Sequence, residues 1–407
     1  MTIMQPIKIA EEPKFNSYDV VIIGGAMIGA AVAWFTISNP DFKGKILVVE
    51  KDPTLEFSST SRTNSSIRQQ FSNKINILIS QYSAQYISKF KQYMENDDRV
   101  PKILFKKIGY LYLANNENAT KILKENQKLQ LSLNTPTKII DKKGLLESFP
   151  YLNVEDVLTG SFNNHNEGYF DAMTILNFWI RKAKEKGVEF IKGEVKRLKF
   201  KSKKIQKINL SNGLSINAGN VVNATGPKAS VLARNTGFDL PVEARKRYTF
   251  IFKTDTNLNR DLPLVVDPSG VHFRSDGNQF LCGCSPIIDN SVEFNDFSVD
   301  YELWENKIWP ILAHRVPIFE KIKLLNTWAG HYAFNTFDQN AIIGLHPEIT
   351  NFYFANGFSG HGLQQSPAVG RGISELLIYN KYINLDLKLL SPTRLIEKKP
   401  FVEKAII

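Results

Sequence analysis

The N-terminal part of the chain opens with a short apolar run, a glycine turn and a helical pattern. Residues 18–23 are mainly β-branched, two glycines follow, and apolar positions recur at helical spacing over 28–37. The stretch 20–37 carries no charge and is just long enough to cross a bilayer. A strand buried on both faces of a parallel sheet gives the same run, so the pattern predicts strand, turn and helix rather than a membrane span.

The residues at this turn have the spacing of a dinucleotide site. The loop covers 24–29, with Gly24 and Gly29 at its ends and Ala26 where a second glycine is usual. The next strand, 45–50, ends in Glu50, which lies 21 residues beyond Gly29, the separation of an acid that binds an adenosine ribose. Backbone N–H groups at the start of the helix favour a pyrophosphate. The sequence therefore predicts dinucleotide binding here.

Two later strands that run into small-residue turns favour a flavin over a nicotinamide cofactor. One covers 220–226, and the other covers 351–362 and ends in a glycine-rich turn. A helical pattern follows over 367–378, with Pro367 in its first turn. A reduced flavin carries negative charge on its N1–C2=O edge, and the start of a second helix can hold that charge.

Composition and charge exclude several classes of protein. With 407 residues, 43% hydrophobic and 22% charged, the chain is globular and long enough for about two to four lobes. Two cysteines, Cys282 and Cys284, cannot form a disulfide framework, which favours a reducing compartment. The net charge of +11 lies on dispersed residues, and the basic run 196–204 alternates with apolar residues like a strand with one face in water. No aromatic platform accompanies this run, so we expect no nucleic-acid partner.

With these motifs the chain resembles the D-amino-acid oxidase (DAO) superfamily of FAD oxidoreductases, which includes sarcosine oxidase and glycine oxidase. The resemblance spans residues 18–378 and is strongest over 328–332, 335–340 and 357–365. Within the superfamily the chain is most similar to the FAD-dependent oxidoreductase domain-containing proteins, whose mitochondrial members are linked to assembly of respiratory complex I.

The resemblance implies an α/β fold in which a Rossmann-like FAD-binding domain of the GR2/DAO type is interrupted by an antiparallel-sheet α+β substrate domain. The expected limits are 1–17 for an N-terminal tail, 18–90, 155–237 and 328–390 for the FAD-binding domain, 91–154 and 238–327 for the substrate domain, and 391–407 for a C-terminal tail.

The resemblance also implies how FAD is held. Gly330 stands where sarcosine oxidase has a cysteine that bonds the flavin, so we expect non-covalent FAD, with a histidine linkage as the alternative. The expected cofactor residues are Gly24, Gly25, Ala26, Met27, Ile28, Gly29, Glu50, Lys51, Ser59, Thr60, Ser61, Arg62, Ser65, Ser66, Ile67, Val195, Ala224, Thr225, Gly226, Gly330, Gly357, Gly360, His361, Gly362, Leu363 and Gln364.

Candidates for catalysis follow from the same resemblance. Arg68 matches the arginine that binds the carboxylate in sarcosine oxidase, and Arg274 matches the one that does so in glycine oxidase. His331 and Tyr332 lie where family members face flavin and substrate, and His361 lies in the turn at the flavin edge. The alternatives are surface or phosphate-neutralising arginines, core packing for His331 and Tyr332, and a histidine satisfied by backbone bonds for His361.

The implied activity is oxidation of the C–N bond of a small amino acid or an N-methylated or secondary amine. Hydride passes to flavin N5, and the imine then hydrolyses. Sarcosine oxidase has a lysine at the position of Gln364, and loss of that cation favours a dehydrogenase over an oxidase. The expected partners are a carboxylate-bearing amine and an acceptor, which is oxygen, an electron-transfer flavoprotein or a quinone.

Two alternatives to this activity stay open. One is a 2-hydroxy-acid dehydrogenase on the same fold, and the other is a flavin-fold assembly factor for a respiratory complex. In each case we expect a cytoplasmic protein, at most peripheral to a membrane, and no metal site.

Overall fold

Two eight-stranded sheets and one three-stranded sheet form the framework of the protein. The computed structural model describes residues 9–255, 258 and 260–404. The strands are, in chain order, β1 (Ser17–Ile23), β2 (Ile46–Glu50), β3 (Ser66–Ile67), β4 (Phe105–Lys106), β5 (Tyr110–Ala114), β6 (Lys138–Asp141), β7 (Thr159–Asn163), β8 (Gly168–Phe170), β9 (Glu189–Lys192), β10 (Val195–Lys201), β11 (Lys204–Leu210), β12 (Ser215–Asn223), β13 (Val242–Thr254), β14 (Leu264–Val266), β15 (His272–Asp276), β16 (Gln279–Cys284), β17 (Ile322–Asn335), β18 (Ile342–Leu345) and β19 (Phe352–Asn356). The helices are α1 (Met27–Ile37), α2 (Lys74–Ser88), α3 (Phe90–Tyr93), α4 (Glu117–Ser132), α5 (Lys142–Ser148), α6 (Ala172–Glu185), α7 (Ala229–Ala233), α8 (Tyr301–Leu303), α9 (Trp309–Arg315), α10 (Gly362–Tyr379) and α11 (Thr393–Ile396).

The first sheet has a parallel centre that is buried on both faces. Its order is β10-β11-β12-β1-β2-β9, with β19 beside β12 and β18 beside β19. In β1, Val20 and Ile22 join one apolar cluster, whereas Val21 and Ile23 join another on the opposite face. This double burial explains the uncharged stretch at 20–37. Among the described helices, none combines the length and the apolar character that a bilayer crossing requires.

The second sheet separates an apolar face from a polar one. Its order is β17-β13-β16-β15-β14-β5-β7-β6, and only β14 and β5 pair in parallel. Because side chains alternate along a strand, Phe250 and Cys282 enter an apolar cluster. Their neighbours Thr249 and Gly283 lie in register with His272, on the face toward the first sheet. The fold is the mixed α/β type that the sequence predicts.

The boundaries between the two lobes differ from the predicted ones. Strand β7 pairs with β5 and β6, so residues 159–163 belong to the second sheet rather than to the FAD-binding part. Strand β17 pairs with β13 from Ile322 to Asn335, so residues 328–335 do the same. Both strands satisfy their backbone hydrogen bonds on partners distant in sequence, which local patterns do not reveal.

Both segments predicted as tails contact the first lobe. The N–H of Ala10 donates to the carbonyl of Phe190 (3.1 Å), and Lys192 donates back to Ala10 (2.9 Å). At the other end Glu403 is completely buried. Residues 1–8 and 405–407 lie outside the described part of the chain.

The last long helix begins earlier than predicted. Helix α10 starts at Gly362, so Pro367 lies inside it rather than in its first turn. Proline cannot donate the helical hydrogen bond to the carbonyl four residues earlier. The hydroxyl of Ser366 donates to that carbonyl, Leu363 O, at 2.8 Å, which compensates for the missing bond.

We expect Gly29→Val to abolish cofactor loading. A Cβ at Gly29 would lie 1.8 Å from the carbonyl oxygen of Gly24, so α1 would have to move away from β1. The variant should be insoluble, or colourless once purified. The measurement is the amount of FAD that acid precipitation releases into the supernatant, which should be close to zero for the variant. Ala26→Gly, which restores the usual glycine in the same loop, serves as the control and should load normally. Full FAD occupancy in Gly29→Val would contradict this packing.

Candidate functional site

A cavity of about 660 Å³ lies between the first sheet and the polar face of the second sheet. The carboxyl ends of β1, β2 and β12 and the start of α1 line one side. Residues of β13, β15 and β17 line the other side, which we call the roof. Because the ends of parallel strands meet at one edge of a sheet, Gly24 and Gly226 line the same wall although they are far apart in sequence.

The glycine loop is held by close backbone contacts. Gly24 has φ +100°, and a Cβ there would lie 2.4 Å from the carbonyl oxygen of Ala224. The Glu50 carboxylate accepts the N–H of Gly25 at 2.6 Å and that of Asp52 at 2.8 Å. Burial raises the pKa of Glu50. Ala26 gives helix α1 no side-chain cap, and the N–H of Met27 donates to the Thr60 hydroxyl at 3.3 Å. The other N–H groups of the first turn are those that this loop predicts to bind a pyrophosphate.

Gly330 is required by the approach of the segment that carries Arg62. A Cβ at Gly330 would lie 3.0 Å from both Cβ and the carbonyl oxygen of Arg62. The Arg62 guanidinium donates to Ala329 O at 3.0 Å and lies 4.7 and 4.9 Å from the ring centres of Phe57 and Phe297. A larger side chain at Gly330 would require the Arg62 segment to shift by a few tenths of an ångström.

Arg68 brings a buried positive charge to the cavity. Its side chain lines the cavity although the residue is only 2% exposed. Its Nη1 donates to the carbonyl of Gln70 at 3.2 Å and to the hydroxyl of Tyr112. The guanidinium lies 4.3 Å from the centre of the Phe71 ring. These contacts fix the orientation of the guanidinium fork.

His361, which precedes α10, and Gln364, in the first turn of α10, both contact Arg68. Arg68 Nη2 lies 2.8 Å from His361 Nε2, and because arginine can only donate, Nε2 is the acceptor. Burial, together with the charge of Arg68, holds the pKa of His361 well below its usual value, so its ring is neutral. The side-chain oxygen of Gln364 accepts the backbone N–H of Arg68 at 2.9 Å.

Tyr332 and His331 lie where the roof meets the glycine-rich turn. A Cβ at Gly360 would lie 2.4 Å from the Tyr332 ring, so the ring packs directly on this turn. The guanidinium of Arg247 lies 4.7 Å from the centre of the same ring. His331 stacks on Phe297 at 4.2 Å and its Nε2 lies 2.7 Å from the carbonyl of Asp296.

Arg274, the second predicted carboxylate anchor, does not line the cavity. Its Nη1 donates to Ser275 O and to Asp276, both at 2.8 Å, and its Nη2 donates to Asn64 O at 2.9 Å. The guanidinium also lies 4.0 Å from the ring centre of Tyr169. These contacts connect the second sheet to the segment that precedes Arg68.

Four polar residues of the roof and its connecting segment were not singled out from the sequence. Asn64 joins the lobes, because its Oδ1 accepts the Thr249 hydroxyl at 2.8 Å and its Nδ2 lies 3.4 Å from His272 Nε2. Burial lowers the pKa of His272 to about 4, so its ring is neutral at neutral pH. Period-two alternation of side chains along 245–252 and 270–283 places Arg247, Thr249 and His272 on faces of a sheet, but it does not show that they lie over a cavity.

The cavity gathers most of the predicted site residues. Those that line it are Gly24, Ala26, Met27, Ile28, Glu50, Lys51, Ser59, Thr60, Arg62, Ser66, Arg68, Val195, Ala224, Thr225, Gly226, Gly330, His331, Tyr332, Gly360, His361, Gly362, Leu363 and Gln364. Those that do not line it are Gly25, Gly29, Ser61, Ser65, Ile67, Gly357 and Arg274. Cys282 and Cys284 are buried on the far side of the roof. In the part of the chain that the structure describes, histidine, cysteine and acidic residues form no group that could hold a metal ion.

Comparison with known proteins agrees with this geometry. The family model described as FAD dependent oxidoreductase (DAO) matches residues 19–376. FAD-dependent oxidoreductase domain-containing protein 1 of Xenopus laevis is 35% identical over 96% of this chain and 85% of its own length. Mitochondrial dimethylglycine dehydrogenase of Homo sapiens is 23% identical over 96% of this chain and 46% of its own length.

Solved structures show the same architecture. L-proline dehydrogenase from P. horikoshii superposes with a TM-score of 0.82 at 26% identity, covering 95% of this chain and 99% of that one. Glycine oxidase from Geobacillus kaustophilus superposes with a TM-score of 0.78 at 21% identity, covering 93% and 99%, which shows a shared fold. The three strand-and-turn motifs, the cavity that they line and the match over 19–376 lead to one conclusion: the chain belongs to the DAO family of FAD-dependent oxidoreductases.

Proposed function

We propose that this protein is a dehydrogenase that oxidises the C–N bond of a small carboxylate-bearing secondary or N-methylated amine. The observation that carries the proposal is the buried guanidinium of Arg68 on the cavity wall. Three similar proteins are named as dehydrogenases of sarcosine, dimethylglycine and L-proline. All three compounds are N-alkylated amino acids, which supports the substrate class. FAD, when bound, accepts a hydride at its N5 atom.

The residues of the chain mainly bind and orient the substrate. Arg68 binds the substrate carboxylate through its positive charge and the side of the guanidinium that faces the cavity, and the contacts with Tyr112 and His361 fix the direction of the group. This pairing holds the carbon beside the amine nitrogen at a set place in the cavity. His361 stays neutral and accepts from Arg68, so it adds no further positive charge beside the guanidinium. The imine product hydrolyses in water and needs no catalytic acid from the chain.

The cofactor is held without a covalent bond in this proposal. Neither cysteine lines the cavity. The Nε2 atom of His361 contacts Arg68, and the Nε2 atom of His331 contacts the carbonyl of Asp296. The preference for an acceptor other than oxygen depends on Gln364, a neutral amide where a cation would favour transfer of one electron to oxygen.

Anaerobic reduction of the flavin tests the proposed reaction. We expect sarcosine, dimethylglycine or L-proline to bleach the yellow colour, whereas N-methylethanolamine, which lacks the carboxylate of sarcosine, should bleach it far more slowly. Bleaching by 2-hydroxy acids alone would support the hydroxy-acid alternative. An FAD-loaded protein that no compound reduces and that copurifies with a respiratory subunit would support the assembly alternative.

The two arginines should respond differently to the same substitution. Arg68→Lys removes the planar fork, so the KM for the carboxylate substrate should rise by roughly ten- to hundredfold, or about 1.5–3 kcal/mol. Arg274→Lys is the matched control, because that side chain is equally buried but does not line the cavity. Its KM should change by less than about threefold, while thermal stability falls. A large rise in KM for Arg274→Lys alone would reverse the two roles.

Replacement of Gln364 tests the choice of electron acceptor. Both Gln364→Lys and Gln364→Met lose the oxygen that accepts the Arg68 N–H, but only lysine adds a cation. We expect air to reoxidise the reduced lysine variant about tenfold faster than the methionine variant, or ~1.4 kcal/mol in the barrier. Stopped-flow mixing with oxygenated buffer measures this rate. If the wild type already reoxidises at the rate of the lysine variant, the dehydrogenase assignment is wrong.

A further inference from the structure

The segment after α11 carries a buried carboxylate that binds groups from the first lobe. Glu403 is 0% exposed. Its Oε1 accepts the backbone N–H of Ser72 at 2.8 Å and the Ser72 hydroxyl at 2.6 Å. Its Oε2 accepts the side-chain amides of Asn76 at 2.8 Å and Asn73 at 3.2 Å. Four neutral donors thus converge on one carboxylate.

These bonds connect the two parts of the chain that meet at Arg68. Ser72 and Asn73 lie four and five residues after Arg68, in the turn that leads into α2. Asn76 also accepts the Gln365 amide at 3.3 Å, and Gln365 follows Gln364 in α10. Glu403 therefore holds the turn after Arg68 against the helix whose first residues contact Arg68.

The segment that carries Glu403 is itself fixed to the end of β17. Asp338 accepts the backbone N–H of Phe401 at 3.0 Å. The same carboxylate binds Arg394 at 2.7 and 3.0 Å and accepts the side-chain amide of Asn335, the last residue of β17, at 2.7 Å. The position of Glu403 is thus set by the strand that also carries Tyr332.

A second buried carboxylate holds the same turn from the opposite side. Glu167 Oε1 accepts the backbone N–H groups of Gln69 and Gln70 at 2.7 and 3.0 Å, and its Oε2 accepts the Gln70 amide at 2.9 Å. Burial raises the pKa of Tyr112, whose hydroxyl accepts from Arg68, and the positive charge of Arg68 lowers it.

We infer that Glu403 is a positioning residue for substrate binding, which sets the place of Arg68 by fixing the turn 69–76 against α10. The inference rests on the proposed function of Arg68 as the carboxylate anchor. Glu403 reaches the substrate only through that turn, and Glu167 supports the turn from the second lobe. The C-terminal segment is in this way part of the active site, although its residues do not line the cavity.

The isosteric substitution Glu403→Gln tests this role in the FAD-loaded full chain. The NH2 group of the introduced glutamine would face N–H and O–H groups that now donate to a carboxylate oxygen. Two donors cannot bind each other, so the turn should shift. (Methylthio)acetate, CH3SCH2COO−, is a suitable probe, because its carboxylate can pair with Arg68. Its sulfur gives a charge-transfer absorption band against the flavin, which reports binding. We expect its Kd to rise about tenfold, whereas the Kd of its uncharged methyl ester and the FAD content stay unchanged.

Glu397→Gln is the matched control, since this exposed glutamate of the same segment pairs with Lys399 at the surface. Should Glu403→Gln fail to load FAD, Ser72→Ala removes one donor, and its Kd for (methylthio)acetate should rise about threefold. If Glu403→Gln loads FAD and binds (methylthio)acetate with the same Kd as the wild type, the inference is wrong and the proposed function stays intact. If Glu403→Gln does not load FAD, an unchanged Kd in Ser72→Ala leads to the same conclusion. A wild type that binds no carboxylate would overturn both.

Discussion

The burial of one positive charge between the two lobes is the constraint on which the site depends. A guanidinium removed from water is destabilised by several kcal/mol in rough terms unless its N–H groups are hydrogen-bonded. The acceptors of Arg68 come from separate parts of the chain: its own turn through Gln70, strand β5 through Tyr112, and the turn before α10 through His361. The charge can be buried only when all three parts are in place. Formation of the fold and formation of the site are therefore one event.

The same low exposure sets the charge of the neighbouring groups. Burial lowers the pKa of His361 and raises that of Glu167 to about 7, because a buried environment disfavours the charged form of either group. At neutral pH the histidine adds no second positive charge beside Arg68. Positive side chains from both sides line the cavity, among them Arg62, Arg68 and Arg247, and such a lining would suit the carboxylate-bearing substrate proposed for this protein.

The cofactor side and the roof are built by different means. The wall formed by the first sheet depends on close backbone approach, as at Gly24 against Ala224, where even one added carbon would collide. The roof depends on side chains, since Arg247, Thr249 and His272 alternate with residues of an apolar core. Close backbone approach therefore shapes the first wall, whereas in the proposed function the residues of the roof and Arg68 select the substrate.

The sequence by itself determined the parts of the protein that are recorded in local patterns. An apolar run with a glycine turn and a helical repeat predicted β1 and α1, which the structure contains, and the spacing from Gly29 to Glu50 predicted a dinucleotide site, because each pattern involves residues close together in the chain. It also gave the family through its motifs. The tertiary structure alone decided that Arg68 rather than Arg274 lines the cavity, and that β7 and β17 belong to the second sheet. It alone decided that the C-terminal segment buries Glu403 beside the turn of Arg68. These results depend on contacts between residues up to about 330 positions apart, as for Asn76 and Glu403 with their separation of 327, and no periodicity encodes which distant partner a charge will meet.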